Sequence, residues 1–186
     1  MTMEQVGAPA ALAVSLEEAK QSLRIDEDDT ALDMLIEIWI RGVTAEAEHS
    51  TGCVFMNRPM RVTLDSFSAA VRLAAPTFSV ESVKYNDTAG VQQVLDPQDY
   101  YVDKVSRPGY VVPAANKAWP STAAINAVVV DFTAGFGATA ASTPDCARLY
   151  IIARLMEQWE PSTKDFKATS QSQYITRLLD PIKVYE

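Results

Sequence analysis

The sequence predicts an α+β fold, and three observations carry the prediction. Apolar residues recur with a helical period near both ends of the chain, over 15–52 and again over 143–159. Between them runs a series of short segments with period-two or β-branched patterning, punctuated by Asn, Asp, Pro and Gly. The connections among those segments are too short for crossover helices, which makes the sheet antiparallel. Segregated helices and strands of this kind place a small bundle, an N-terminal helix pair plus a C-terminal helix, around an inserted antiparallel β region at about 54–136. The expected organisation is a flexible N-terminus over 1–14, one domain over 15–160, and an extended C-terminal arm with a short helix over 161–186.

Residues 1–14 are Ala-rich and give no independent reason to fold. Ser15 followed by Glu18 is a capping-box pattern, in which each side chain satisfies the other's free backbone N–H at a helix start. Leu16, Ala19 and Leu23 give that helix one apolar face. A second helix is expected to begin within Asp26-Glu27-Asp28-Asp29, where Asp28 or Asp29 can cap and the carboxylates favour the positive helix end. Leu32, Leu35, Ile36, Trp39, Ile40, Val43 and Ala47 share its main face, and Gly52 is the expected stop.

From Cys53 the period changes. Met60, Val62 and Leu64 alternate with Arg61, Thr63 and Asp65, as in a strand with one face buried. Short strands are expected at 71–73, 80–85, 91–95, 100–105 and 110–112, with turn residues at Asn86–Gly90, Asp96–Asp99 and Arg107–Gly109. The run 125–134, rich in Val and ending at Gly135, reads as a central strand. Helix resumes at Thr143-Pro144-Asp145, a capping residue followed by Pro at the first helical position. It carries two apolar stripes, Leu149, Ile152, Met156 and Trp159 beside Ala147, Ile151 and Leu155, and Glu160-Pro161 ends it. Residues 162–172 read as a polar, mobile link to a short helix over 174–179.

Composition narrows the chemistry. No apolar run approaches the roughly 20 residues that cross a bilayer, and Glu4 stands where an export signal carries positive charge. His49 is the single histidine, which removes multi-histidine metal sites and leaves at most one imidazole base. Cys53 and Cys146 lack metal or redox spacing and read as free thiols. Asp26, Asp28, Thr30 and Glu37 fall at positions of a helix-loop-helix calcium site, but Ala31 stands where that loop needs glycine. Gly135-Phe136-Gly137 lacks the third glycine and the following helix of a nucleotide loop. No catalytic residue, metal or cofactor is assigned, and the chain is read as non-enzymatic.

Charge is distributed unevenly. Residues 1–51 hold 11 acidic and 3 basic side chains, whereas 52–186 hold 13 of each, so the whole net charge of −8 lies in the first part. Nucleic-acid grip needs a basic surface that releases phosphate counterions, and this chain has the opposite balance. Interaction surfaces are a better prospect. Met34, Ile38 and Ala45 lie opposite the main stripe of the long helix and, with Ile151 and Leu155, form a candidate oligomer interface.

The ordered landmarks Leu23-Arg24-Ile25-Asp26, Glu48-His49-Ser50-Thr51-Gly52, Val80–Tyr85, Leu95–Tyr100, Trp119-Pro120, Phe132–Gly137 and Leu178–Pro181 resemble the head-tail connector proteins of long-tailed phages, also called head-completion or neck adaptor proteins. The resemblance covers about residues 15–160. It implies a structural subunit of a ring of about a dozen copies beneath the portal protein, joining a filled head to a tail or tail-completion protein. It places the chain in the virion neck, after assembly in the host cytoplasm. DNA would pass through the ring without specific binding. On this reading Tyr174, Ile175, Leu178 and Leu179 form an arm toward the portal or an adjacent copy, and Asp26, Glu27, Asp28 and Asp29 give the channel an acidic lining. A tail-completion protein of the same assembly is the competing structural reading, and a small enzyme is the reading of another class.

Overall fold

The computed structural model of the protein describes residues 1–159 and 173–184. The chain forms two compact units, a β unit of Met1–Pro9 with Asn57–Gly135 and a helical unit of Ala10–Met56 with Phe136–Glu186. Fold class agrees with the sequence: α+β, with helices before and after an inserted antiparallel β region.

In the helical unit, α1 (Leu16–Leu23) starts as its capping pattern dictates, with Ser15 Oγ accepting the Glu18 N–H at 3.1 Å. It ends at Arg24, which is left-handed (φ 58°) and turns its N–H back to Gln21 and Lys20 carbonyls. Helix α2 (Asp33–Thr51) stops at Gly52, whose positive φ suits glycine and whose N–H closes on the Glu48 carbonyl. Its start lies later than expected. Asp29 uses its carboxylate on the Ala31 N–H, a local turn that competes with helix, and Leu32 occupies the helix boundary without a side-chain cap. The acidic residues 26–29 are therefore an exposed loop rather than the helix start. Lys20, 4% exposed, fixes that loop by donating to the Glu27 carbonyl at 2.8 Å and lying 2.7 Å from Asp33.

Helix α3 (Asp145–Trp159) buries Ala147, Tyr150, Ile151 and Leu155, which join Ala19, Leu23, Ile36, Ile40, Val43 and Ala47 among the buried residues of this unit. Of its two apolar stripes only the second enters the core; Leu149 and Met156 of the first are exposed. Polar contacts at the edges of the buried face explain the choice. Tyr150 donates to Glu46 at 3.1 Å, Arg154 approaches the same carboxylate at 3.3 Å, and Arg148 reaches Glu18 at 2.7 Å, which together set the rotation of α3. A short α4 (Gln173–Arg177) follows the undescribed stretch, in which the expected polar link over 162–172 falls.

The β unit contains β1 (Thr2–Gln5), β2 (Arg58–Leu64), β3 (Val71–Arg72), β4 (Thr77–Asn86), β5 (Gln92–Val94), β6 (Tyr100–Asp103), β7 (Tyr110–Pro113) and β8 (Val128–Ala134). They form two antiparallel sheets, β1-β2-β8-β4-β5 and β3-β7-β6. The last strand is central, as its Val-rich run predicts, and alternates Val128, Val130, Phe132 and Ala134 inward. Strand β1 corrects the expectation of a flexible 1–14. A polar Thr-Met-Glu-Gln segment carries no strand signal of its own, yet it pairs with β2 from Thr2↔Thr63 to Gln5↔Met60. Phe67 and Trp119 stack at 4.4 Å, and Trp119 donates to the Ser68 carbonyl, which holds down the long segment between β7 and β8.

Across the polar face of the larger sheet, Asp131 receives Arg61 at 2.7 Å and Lys84 at 3.0 Å, one partner from each flanking strand. Partial burial raises the Asp131 carboxyl pKa, but the two cations outweigh it and the net shift is downward. A carboxyl depressed in the folded state stabilises above its unfolded pKa of about 3.9 and loses that contribution as pH falls through the lower folded value. Urea denaturation from pH 7 to 2 should show this loss in the acid limb, and Asp131→Asn should flatten that limb. At pH 7 Asp131→Ala should lower stability by no more than about 1 kcal/mol, since solvent screens the partly exposed Arg61 and Lys84 that lose their acceptor.

Candidate interaction surface

The long helix presents a bare apolar strip. Met34 is 78% exposed, Ile38 54% and Leu35 40%, and Ala45 is exposed farther along the same side. Leu35 was expected in the core stripe; at about 100° per residue it sits on the margin, beyond the arc that Ile36, Ile40, Val43 and Ala47 bury. Gly42 lies within this exposed side, and a Cβ there would meet nothing within 4 Å. Glycine inside a helix costs roughly 1 kcal/mol relative to alanine, and no contact among the described residues accounts for it. Sequence reading passed over Gly42, although a mid-helix glycine was its one visible signal.

The α3 half of the predicted interface is different. Ile151 and Leu155 are fully buried, so neither is available to another molecule. Leu149 and Met156 are the large apolar residues that α3 exposes. Near its end, Trp159 meets Trp39 edge-on at 6.4 Å, and a shallow cleft of about 140 Å³ opens between Ser22, Leu23, Arg24, Met156 and Trp159. Among the described residues the unit thus carries exposed apolar side chains on both long helices.

Asp26, Glu27, Asp28 and Asp29 are all exposed in the α1–α2 loop. They form a solvated acidic projection held from beneath by Lys20. The predicted arm divides. Tyr174 is 68% exposed and Ile175 and Leu178 are partly covered, but Leu179 is 2% exposed and Ile182 9%. Val184 donates to the Thr51 carbonyl at 2.8 Å, and Cys53 Sγ donates to the Ile182 carbonyl at 3.1 Å. Residues 179–184 therefore fold back on the end of α2, and Leu179 is core rather than arm. Cys53 is a buried thiol in that contact, and His49 is exposed four residues before it in sequence.

Neither protein-family models nor curated protein sequences give a match to the chain. Solved structures do. A chain in the neck of an empty gene transfer agent particle, reconstructed with C6 symmetry, superposes with a TM-score of 0.83 at 20% identity, covering 100% of this chain and 97% of that one. A chain of the native gene transfer agent virion gives 0.80 at 20% identity, and one from the native neck with C12 symmetry gives 0.75 at 23%, with the same coverage. The chain shares its fold with those chains.

Exposed strip and buried stripe should separate cleanly by mutation. Ile38→Glu should leave the thermal midpoint of the isolated chain within the small range typical of surface changes, about 0.5 kcal/mol. Leu155→Ala should cost about 2–4 kcal/mol by removing a fully buried side chain. Gly42→Ala should raise the stability of the isolated chain by roughly 0.5–1 kcal/mol, a direction that calorimetry resolves.

Proposed function

We propose that the protein is a structural subunit of the neck of a phage or phage-like particle. In this reading copies of it form the head-tail connector ring beneath the portal, complete the head and join it to a tail or tail-completion protein. The observation that carries the proposal is the end-to-end likeness to neck chains of a phage-like particle, in which 100% of this chain and 97% of the other superpose. One feature of the chain supports it: the apolar strip on α2 lies exposed among the described residues.

A closed ring needs head-to-tail contacts, in which two different surfaces of each copy meet. The strip Met34, Ile38 and Ala45 serves as one of them in this proposal, and the exposed α3 residues Leu149 and Met156 replace Ile151 and Leu155 on the other. Tyr174 and Ile175 remain the outward part of the portal arm. Asp26–Asp29 face the channel, where like charge repels phosphate and keeps DNA passing rather than bound. The ring forms in the host cytoplasm and stays in the virion neck.

The test is assembly. Electron microscopy of the purified chain with its portal protein should show a ring under the portal, and Ile38→Glu, folded as a monomer, should abolish it. A ring that survives Ile38→Glu removes the α2 strip from the interface. Binding to tail-tube protein with none to portal would replace the connector reading with tail completion.

A further inference from the structure

The N-terminal strand is held in an unusual way. Every side chain of β1 is exposed, as are Met1 and Val6, and residues 1–9 contribute no buried side chain. What fixes the segment is main-chain pairing with β2 from Thr2↔Thr63 to Gln5↔Met60, extended by the Val6 N–H on the Pro59 carbonyl at 2.9 Å. Main-chain pairing is thus the principal tie, with Met3 partly covered and Glu4 close enough to Arg61 for their opposite charges to favour it. The edge it covers, by contrast, belongs to a well-packed strand in which Met60, Val62 and Leu64 are buried.

The chain also leaves the β unit directly after the strand. Residues 1–9 belong to that unit, Ala10 begins the helical unit, and Ala13 and Val14 are buried there. The link from Gly7 to Ala13 reaches about 20 Å when extended, so the strand can dock only on its own β2 or on that of an adjoining copy.

We propose that β1 is an exchangeable strand and that, between assembled copies, residues 2–5 pair with β2 of the neighbouring copy. The partner fits because the register is already present within the chain: Met3↔Val62 and Glu4↔Arg61 form the same way in either connection. Hydrogen bonds, twist and side-chain exposure are identical in the two forms, so their free-energy difference resides in the link and in the effective concentration of the second edge. Copies held side by side raise that concentration to the millimolar range, where exchange between chains competes with pairing within one. The result is a ring in which each copy is tied to the next by main-chain bonds as well as by the α2 strip. This inference rests on the proposed self-assembly for its setting, but the exchange itself uses only parts of this chain and needs no other component.

Cysteine mixing tests it. One chain carries Thr2→Cys and a second, differently tagged, carries Thr63→Cys, both with Cys146→Ser; Thr2 is exposed and Thr63 half-buried, so neither change disturbs the core. The two are co-expressed, treated with a short bismaleimide and separated under denaturing conditions, while light scattering reports the size of the untreated sample. Exchange gives a mixed dimer about tenfold above a control pair of Thr2→Cys with Ser68→Cys, as expected when the second edge is at high effective concentration. The double variant Thr2→Cys/Thr63→Cys in one chain shows that the reagent spans the pair. Multimers without the mixed band overturn strand exchange and leave the ring reading intact. If the sample is monomeric, the mixing is repeated on the portal-bound ring, where a ring without the mixed band overturns exchange.

Discussion

Inserting a β unit into the middle of a helical one demands that the entering and leaving strands lie together, and the rest of the structure depends on how this chain meets that demand. Strand β2 enters and β8 leaves as an antiparallel pair, with Arg58 opposite Ala134 at the junction. On the helical side the same two chain segments stay joined: Phe136 donates its N–H to the Phe55 carbonyl at 3.0 Å, Met56 bridges to Gly137, and the two Phe rings lie 6.4 Å apart. Phe55 and Met56 are fully buried, so this closure is also part of the helical core. Because the two ends are fixed, α3 returns to α1 and α2 although the whole β unit intervenes in sequence. Either contact, the β2–β8 pairing or the packing of α3, closes the long intervening loop and so lowers the entropic cost of the other.

Much of this was legible in the sequence wherever one physical signal dominated locally. The Ser15–Glu18 cap, the left-handed stop at Gly52 and the Val-rich central strand each follow from their own residues, and each stands where expected. Reading failed where two comparable signals competed. Residues 26–32 offer both a capped helix start and Asx-type turns, and the turn won because Asp29 satisfies Ala31 at once and Lys20 secures the loop from beneath. On α3, two stripes of similar hydrophobicity left the buried face undetermined. Glu18 and Glu46, residues on other helices, decided it through Arg148, Tyr150 and Arg154.

The candidate site was legible in the same uneven way. Met34, Ile38 and Ala45 are exposed as their position opposite the main stripe implies, because α2 has only one side to give to its own core. Ile151, Leu155 and Leu179 were misassigned for a common reason: apolarity marks a residue for burial but does not say against what. Strand β1 escaped notice for the opposite reason. Its residues bury nothing, so their conformation is imposed by the free edge of β2 and leaves no hydrophobic pattern to read.

The charge distribution sets what can hold copies of this chain together. Its surplus of negative charge lies wholly in residues 1–51, which include the exposed acidic loop and α2 itself. Copies placed side by side therefore repel at long range, over a Debye length of about 8 Å at physiological ionic strength. Association against that repulsion must come from contacts that act only at touching distance. The apolar strip on α2 and the main-chain edge of β2 are both of this kind, and both gain relative to the opposing field as salt screens it. A protein built to grip DNA behaves in the reverse way, losing affinity as salt rises because counterion release drives its binding. Acidic surface of this kind therefore leaves apolar and main-chain contacts, rather than charge, as the means by which copies of such a chain could adhere.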